Sequence, residues 1–457
     1  MQLFSYTLQG WANPADAFCL LYSQDRAAFW LDREHHPTRP FSILGHAYAE
    51  QVFGYSDGLA ALADLADATT ENPDSAQLPF EFRPGLVGWL DYREPDTAMP
   101  DLVAQLLLVR EAIVFDHAKR RITIVGLFDS AEAFDQWRQA VSLRIWFSGG
   151  QQVGYRMRAT GHYGQQPALA VRDKPQTYLS KIEQAKQHIE LGDVYQLCLT
   201  NSIQGPTDRD PLATFLALRK ANPAPYASYI RIGETALVSS SPELFLHRNS
   251  AGLVSTKPIK GTRPRHSELE QDLEVAEQLA ANPKERAENL MIVDLMRNDL
   301  GRVCVAESVT VTQLFQVESY ATVHQLVSTV TGQQRDADSQ STSSGQSLVA
   351  GFDQLLDSCF PAGSMTGAPK LRAMELIARL EAQPRGIYSG AAGYLGFDGS
   401  LELGMTIRSL IFDSGQVSIG VGGGITADSE PLAELAETRI KARALLAALD
   451  ATDPWEA

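Results

Sequence analysis

The stretch Tyr229–Ser239, which reads YIRIGETALVS, contains two short strand-like runs on either side of Gly233 and Glu234. The first run is Tyr229–Ile232 and the second is Ala236–Ser239. A glycine-containing pair between two such runs is typical of a β-hairpin, which joins antiparallel strands. Parallel strands need a long crossover connection instead. The stretch therefore predicts antiparallel sheet.

Helical patterns occur on both sides of this hairpin. Tyr178, Ile182, Ala185 and Ile189 recur at the spacing of a helix that Gly192 can end. A further helix is predicted over Pro431–Ala448, and further strands are predicted over Leu106–Phe115, Arg121–Leu127 and Val194–Thr200. Hairpins mixed with helices favour an α+β fold over a doubly wound parallel sheet.

The chain of 457 residues is long enough for about one to three domains. Residues 1–150 carry few motifs, and residues 151–174 have the composition of a linker. The patterns that suggest chemistry lie in residues 175–450. Two polar segments, residues 67–78 and 336–346, have the composition of solvated surface loops.

The composition excludes several classes of partner. A formal net charge of −16 argues against nucleic acid or an anionic membrane surface. We see no signal peptide, and no apolar run approaches the roughly 18 residues of a membrane helix. Four scattered cysteines favour the reducing cytoplasm. An anionic substrate would need local positive charge from a divalent cation, a basic side chain or backbone N–H groups.

Two helical segments contain paired acids three residues apart. Glu285 and Glu288 form one pair, and Glu434 and Glu437 form the other. This spacing puts each pair on one helix face, where the carboxylates can bind Mg²⁺, a cation that prefers oxygen ligands. Taken alone, either pair is more typical of a solvated helix surface.

Two residues in irregular segments are candidates for catalysis. Lys260, in STKPIKGTRPR, can act as a nucleophile if its surroundings favour the neutral amine. Glu243, in SSSPELFL, can act as a general acid or base. The alternatives are an ordinary surface lysine in a basic loop and a carboxylate that caps a turn.

Three other segments are suited to anions. PAGSMTGAPKLRAMEL ends in a helical pattern whose first N–H groups can face a carboxylate, and Gly422–Gly424 allow a ligand close to the backbone. Arg408 lies in the strand-like run MTIRSLIF, where a charge needs a partner. That partner is either a substrate carboxylate or an internal salt bridge.

Together these segments resemble the chorismate-utilising enzymes, which include anthranilate, aminodeoxychorismate, isochorismate and salicylate synthases. The matching motifs are GDVYQLCLTN, SSPELFL, TKPIKGTRPR, AENLMIVDLMRNDLGR, PAGSMTGAPK, SGAAGYLG, TIRSL, GGGITADS and ELAET, in that order over residues 170–450. The N-terminal part is similar mainly at Pro84–Tyr92. The resemblance implies two large antiparallel sheets packed together with helices outside, and the N-terminal region belongs to the same body.

The resemblance also implies roles for individual residues. Glu288 and Glu437 would bind Mg²⁺, with Glu285 and Glu434 ordering its water molecules. Residues that match the family's chorismate-binding positions are Gly261, Thr262, Thr366, Tyr388, Arg408, Gly422, Gly423 and Gly424. His324 would have a supporting role near the ring, although a histidine on a partly apolar strand is commonly a packed residue.

Two positions separate the reactions of this family. Isochorismate and salicylate synthases, which add water, resemble this segment but have a lysine in place of Gln196. That lysine is thought to act as the base that activates water, and a neutral amide cannot do so. Anthranilate synthases read PIAGT where this chain reads PIKGT, as aminodeoxychorismate synthases do. The resemblance therefore implies that Lys260 bonds to the chorismate ring while the C4 hydroxyl leaves, assisted by Glu243, and that ammonia then takes the C4 position.

No cysteine lies in a glutaminase-like setting, so the ammonia is expected from a separate glutamine amidotransferase. Family members can also bind tryptophan next to a segment like NPAPYAS, but the N-terminal serine of that site has no clear match here. The alternatives are anthranilate synthase component I, a non-catalytic chorismate-binding subunit, and an interaction module in which the acidic helices are only surface.

Overall fold

The computed structural model describes residues 1–70, 78–95, 102–150, 166–320, 323–336 and 343–456, with the backbone alone for residues 147–150. The loops predicted at 67–78 and 336–346 and the linker predicted at 151–174 lie largely outside these ranges.

The helices that the structure describes are numbered in chain order. They are α1 (Pro14–Tyr22), α2 (Tyr55–Asp67), α3 (Ala131–Gly150), α4 (Pro175–Glu190), α5 (Pro211–Ala221), α6 (Leu269–Ala281), α7 (Pro283–Val303), α8 (Ser344–Cys359), α9 (Lys370–Glu381) and α10 (Pro431–Ala448). Five of them, α1, α4, α5, α7 and α10, have proline in the first turn, where no intrahelical N–H is lost. The helix predicted over Pro431–Ala448 is confirmed at both ends.

Within the described ranges the first sheet has twelve strands. In spatial order they are β1 (Gln2–Leu8), β8 (Arg121–Phe128), β7 (Glu111–Asp116), β3 (Phe41–His46), β2 (Ala27–Asp32), β11 (Tyr226–Ile232), β12 (Thr235–Ser241), β21 (Ser409–Asp413), β22 (Gln416–Ile425), β10 (Gln196–Pro206) and β18 (Gly367–Ala368), with β9 (Ala170–Val171) also on β10. The pairings are antiparallel, and the predicted hairpin is β11–β12, whose turn is Gly233 and Glu234.

The second sheet has ten strands among the residues described. Its order is β15 (Ile259–Pro264), β17 (Val323–Gln333), β14 (Leu253–Thr256), β13 (Leu244–Arg248), β20 (Leu401–Met405), β19 (Ala391–Gly396), β5 (Gly85–Leu90), β6 (Ala104–Val109) and β4 (Val52–Phe53), with β16 (Thr310–Ser319) also on β17. Strands from the first 150 residues lie in both sheets. Strand β2 pairs with β11 in the first sheet, and β5 pairs with β19 in the second.

The middle of the first sheet is buried on both faces, as strand β2 shows. All six of its residues are buried, with Phe29 and Leu31 in a core shared with the second sheet. Ala28 and Trp30 point the opposite way, into a core formed with outer helices such as α4 and α10. Alternate side chains of a strand face opposite sides, so this run fills two cores. The predicted α+β fold of two packed antiparallel sheets is confirmed.

No helix within the described ranges combines the length and the apolarity needed to cross a membrane.

Candidate active site

Two short connections carry the chain from one sheet to the other at the same place. Pro242 and Glu243 join β12 of the first sheet to β13 of the second, and Thr406–Arg408 return the chain from β20 to β21. The connections are hydrogen-bonded to each other, since Met405 N donates to Glu243 O at 3.0 Å and Ser240 N donates to Arg408 O at 3.1 Å. The backbones of Glu243 and Arg408 are therefore both held where the chain passes between the sheets.

Arg408 does not lie within a strand, so the prediction from MTIRSLIF is wrong at this residue. The run is interrupted at residues 406–408, where the chain changes sheets, and Arg408 has a φ of +52°. Burial lowers the pKa of Arg408, while nearby Tyr388 and Glu437 act to raise it. Among the described residues no hydrogen bond or ion pair is formed by its guanidinium, so the internal salt bridge is not found.

Glu243 has surroundings suited to a weak acid. Its side chain is buried, and burial raises its pKa to about 7. A hydrogen bond from Ser364 and the charges of Lys260 and Lys441 act in the opposite direction. At neutral pH the group is divided between its protonated and ionised forms, which is the condition that favours general acid–base catalysis.

Lys260 lies in a bulged part of strand β15. The pairing of β15 with β17 shifts register between Ile259 and Thr262, so Lys260 and Gly261 fall within the irregularity. Gly261 has a φ of +81°, a conformation that glycine adopts without strain. Bulges redirect side chains out of the regular alternation of a strand. The irregular segment predicted around Lys260 is thus a bulge at the edge of the second sheet.

Lys260 meets Gln196 of the first sheet at Gly424. A β-carbon placed on Gly424 would lie 2.7 Å from Gln196 Nε2 and 3.1 Å from Lys260 Nζ. A side chain at this position would therefore displace one of these two groups. Gln196 is fully buried, and neither atom of its amide has a hydrogen-bond partner in the part of the chain described here. A buried amide without partners is costly unless a ligand satisfies it.

The four glutamates lie at the ends of α7 and α10 that approach this point. Burial raises the pKa of Glu288, with Glu285 and Glu434 adding to the rise and Lys260 and Lys284 opposing it. Glu434 Oε2 lies 3.3 Å from the position of a β-carbon on Gly423, and the Glu285 carboxyl carbon lies 3.0 Å from that of Gly261. The acids of two helices therefore face the two glycine segments.

Each of these carboxylates already has a partner. Arg263 donates to Glu285 at 3.2 Å, Ser429 Oγ donates to Glu434 at 2.7 Å, and Lys441 pairs with Glu437 at 2.8 Å. Lys284 lies 3.9 Å from Glu288. Although burial acts to raise it, the pKa of Glu437 is lowered, chiefly by Lys441. Four carboxylates from two helices suit Mg²⁺ in their chemistry, although among the described residues no three of them have ligand atoms within 4.8 Å of one another.

A different cluster meets a geometric criterion for metal ligands. In the described ranges Asp32, Glu34 and His117 form the one group of three whose ligand atoms lie within 4.8 Å of one another. Arg219 pairs with both carboxylates, and Ser42 hydrogen-bonds to Asp32 and His117. The guanidinium supplies the positive charge that a metal would bring, so this cluster is an internal ion-pair network.

The remaining predicted residues occupy different surroundings. Tyr388 is buried where a β-carbon on Gly420 would collide with its ring. Thr366 is fully buried, and its carbonyl accepts from Cys198 N at 2.7 Å. Thr262 is exposed on β15. His324 is bonded at 2.8 Å to both Asp272 and Ser319, and no contact described here joins it to Lys260 or Glu243.

Sequence reasoning did not identify Lys441 or Ser364. Lys441 Nζ donates to the carbonyl of Gly422 at 2.7 Å and pairs with Glu437. It therefore joins α10 to strand β22, which contains Gly422. Its position four residues after Glu437 is a signal for such a pair. Ser364 lies within the PAGSMTG segment, but nothing in the local pattern indicates that its hydroxyl reaches Glu243.

Comparisons with known proteins identify the family of this chain. The family model described as chorismate binding enzyme matches residues 17–447. An aminodeoxychorismate synthase from Streptomyces griseus is 41% identical over 475 residues, which cover 96% of this chain and 63% of that protein. The chain thus spans less than two thirds of that relative. Aminodeoxychorismate synthase component 1 from Escherichia coli (strain K12) is 34% identical, covering 94% of this chain and 98% of that one.

A solved structure is also similar over almost the whole chain. Anthranilate synthase component I from Streptococcus pneumoniae TIGR4 aligns with a TM-score of 0.69 at 25% identity, covering 96% of this chain and 91% of that one.

Proposed function

The chain belongs to the chorismate binding enzyme family, and on that premise we propose that it forms 4-amino-4-deoxychorismate from chorismate and ammonia. The observation that carries the proposal is the approach of Lys260 to Gly424 and Gln196, close enough to buried Glu243 for the lysine to influence the pKa of that acid. A nucleophile and an acid are thus available together between the two sheets.

In the proposed first step the neutral amine of Lys260 attacks C2 of the chorismate ring. The two ring double bonds shift, and the bond from C4 to its hydroxyl breaks. Hydroxide is a poor leaving group, so Glu243 gives its proton to the departing oxygen, which leaves as water. The proton that the attached Lys260 nitrogen then loses can return to Glu243, which restores the acid.

In the second step ammonia attacks C4, the double bonds shift back, and the bond between C2 and Lys260 breaks. The lysine nitrogen takes its proton from Glu243, and the new ammonium at C4 gives one back to Glu243, which restores the acid for the next cycle. The sum of the two steps is chorismate and ammonia going to aminodeoxychorismate and water. Two allylic displacements replace one difficult substitution, which is the usual benefit of a covalent intermediate.

Binding of a dianion requires local positive charge in this acidic protein. We assign one carboxylate to the half-buried guanidinium of Arg408, which has no internal partner among the described residues. Glu288 and Glu437 would hold Mg²⁺, with Glu285 and Glu434 beside it; when bound, the cation neutralises and orients the ring carboxylate. Backbone groups of Gly261 and of Gly422–Gly424 would complete the site.

The amide of Gln196 argues for ammonia rather than water as the nucleophile. It is uncharged at any physiological pH, so it cannot take a proton from water as a lysine can. Both of its polar atoms are buried and without partners in the described structure, so they are available to the reacting groups of a bound ligand.

We also propose that a separate glutamine amidotransferase supplies the ammonia. The relative from E. coli is named component 1, which supports the existence of a second component. A cytoplasmic location is proposed because the four cysteines are free thiols, as a reducing compartment favours.

Tryptophan binding next to Tyr226 is not proposed. Arg33 lies over the Tyr226 ring at 5.1 Å, and His36 Nε2 lies 3.2 Å from its hydroxyl, so the chain's own side chains occupy these contacts.

The competing product is anthranilate, because the similar solved structure is an anthranilate synthase component I. In that reaction ammonia adds at C2 and pyruvate leaves, and no enzyme amine is needed. Anthranilate synthases have alanine at the position of Lys260. The lysine here therefore favours aminodeoxychorismate as the product.

The test is mass spectrometry of the products and of the intact protein after incubation with chorismate, Mg²⁺ and ammonium. We expect aminodeoxychorismate from the wild type and loss of most of this product, or a shift to anthranilate, in Lys260→Ala. The matched control is Lys257→Ala, three residues earlier, whose side chain pairs with Glu318 and should leave the product unchanged. Anthranilate alone from every variant would show that the product is assigned wrongly. No turnover by the wild type would favour a non-catalytic chorismate-binding subunit.

A further inference from the structure

Strand β10 has a gap in its hydrogen bonding on the side away from β22. In the described structure β18 covers only Gln196 and Leu197 on that side, and β9 covers only Ile203 and Gln204. Buried backbone groups between these two short strands need other partners, because an unpaired N–H or C=O is costly.

One loop, one ion pair and Arg172 fill this gap, and Arg172 Nη2 donates to the carbonyl of Thr200. Cys198 N donates to the carbonyl of Thr366 at 2.7 Å, and Cys198 O accepts from Arg385 Nη2 at 2.7 Å. Thr200 N donates to Glu381 Oε1 at 2.8 Å. Side chains from the end of α9 and from the segment after it therefore replace a neighbouring strand along β10.

Arg385 and Glu381 form an almost fully buried ion pair. Nε and Nη2 of Arg385 donate to the two oxygens of Glu381 at 3.0 and 2.7 Å, and the side chains are 2% and 1% exposed. Nη1 donates to the carbonyl of Met365 at 2.6 Å, and the guanidinium lies 4.6 Å from the centre of the Tyr92 ring. The planar fork of arginine spans a carboxylate and two carbonyls at once, which a lysine ammonium cannot do.

These contacts end on backbone that belongs to the candidate site. Met365 directly precedes Thr366, whose φ of −115° and ψ of −98° lie outside the regular regions. Cys198 is the cross-strand partner of Gly424, the residue at which Gln196 and Lys260 meet. One guanidinium thus holds the loop that contains Thr366 and the strand that carries Gln196 in a fixed relation.

We propose that Arg385 is a positioning residue, which through its pair with Glu381 sets the backbone of Thr366 and of β10 for chorismate binding. The inference rests on the proposed function, since chorismate is taken as the ligand of this site. Arg385 itself acts through Met365 and Cys198 and does not touch the substrate.

A purely structural role would give a different kinetic result. Loss of stability lowers the fraction of folded enzyme, so the apparent kcat falls while KM for chorismate stays the same. A displaced binding loop changes the affinity of the folded enzyme, so KM for chorismate rises. Comparing the change in KM for chorismate with the change in kcat therefore separates a positioning role from a purely structural one.

The experiment compares Arg385→Lys with Arg33→Lys. Arg33 is a matched control because it also forms a buried pair, with Glu402 at 2.7 Å, and donates to a backbone carbonyl, that of Ala227, at 2.9 Å. KM for chorismate, kcat, the affinity for chorismate by calorimetry and the thermal midpoint are measured for both variants and the wild type. A double variant, Glu381→Met with Arg385→Met, removes both charges, so that no unpaired ion is left in the core.

We expect similar losses of thermal midpoint in the two lysine variants, but a rise in KM for chorismate of about 10-fold to 100-fold in Arg385→Lys alone. The double variant should show the same rise. Wild-type values of KM and affinity in Arg385→Lys, or in the double variant, would overturn the positioning role. If the wild type binds chorismate without turning it over, and only the Arg385 variants bind it weakly, the proposed reaction fails and the positioning role stands.

Discussion

Replacing Glu243 by glutamine tests whether burial sets the acidity of this carboxyl group. Glutamine has nearly the same shape but cannot ionise or give up a proton. The pKa of Glu243 is raised from 4.5 to about 7 in the folded chain, where its side chain is only 8% exposed. The unfolded chain exposes the group to water, so its pKa there returns to the ordinary value.

The sign of the effect follows from which state holds the proton more tightly. Between about pH 4.5 and about pH 7 the folded protein binds more protons at Glu243 than the unfolded chain, so rising pH removes stability. The difference between a pKa of 4.5 in the unfolded chain and about 7 in the folded chain corresponds to about 3 to 4 kcal/mol. This contribution is fully present below pH 4.5 and lost above pH 7, and the glutamine variant lacks it.

The assay is chemical denaturation of ligand-free wild type and Glu243→Gln at pH 5 and pH 8. Other titrating groups are shared by both proteins and cancel in the difference. Relative to the wild type, the variant should become more stable by about 2 to 3 kcal/mol on going from pH 5 to pH 8, because part of the full difference lies below pH 5. An exposed control, Glu277→Gln, removes one negative charge without a buried carboxyl and should show no such change. If the wild type and Glu243→Gln differed by the same free energy of unfolding at pH 5 and at pH 8, the reasoning would be refuted.

The same substitution should lower turnover by about 10²-fold to 10⁴-fold, because the C4 hydroxyl loses its proton donor. In the wild type, protonated Glu243 becomes scarce above pH 7, so its contribution to the rate should fall tenfold per pH unit there. Steady-state rates of aminodeoxychorismate formation across this range measure both effects, and full activity in the variant would exclude Glu243 as the acid.

Three further changes have defined outcomes. Arg408→Lys should raise KM for chorismate at least about 10-fold with a smaller change in kcat, because a point charge replaces a fork that can bind a carboxylate through two bonds; an unchanged KM would contradict the assignment. Lys441→Met should tighten Mn²⁺ binding to the chorismate-free protein about fivefold by paramagnetic resonance, since the ammonium that pairs with Glu437 is gone; equal or weaker binding would mean that Glu437 is not a ligand. L-Tryptophan in excess should leave the steady-state rate unchanged, and inhibition that Arg33→Lys alters would place a binding site beside Tyr226.

Local sequence patterns predicted those parts of the fold that short-range chemistry determines. Helix α10 begins at Pro431, as expected for a residue that lacks an N–H and has a fixed φ. Gly192 follows α4 with a φ of +79°, a conformation that suits glycine at the end of a helix. The β11–β12 hairpin was predicted from its turn. Each of these signals acts over a few residues.

Features that depend on distant contacts were not predictable in this way. The run around Arg408 has the composition of a strand, and only the change of sheet explains its break. The contact between Lys260 and Gly424 joins edge strand β15 of the second sheet to β22 within the first sheet, and motif order gives no distance between them. Lys441 was overlooked because an i,i+4 pair on an acidic helix is common on protein surfaces. Whether the predicted ligands bind Mg²⁺ stays a prediction.

The pairing of early strands with late ones has a consequence for biosynthesis. Strand β5 finds its neighbour β19 only after Ala391 has been made, and β2 must wait for β11. Until then the ribosome-bound chain carries open strand edges that can pair wrongly, and contacts this distant in sequence form slowly. We therefore expect residues 1–150 expressed alone to aggregate, and synthesis of the whole chain to depend on chaperones that shield those edges until translation ends.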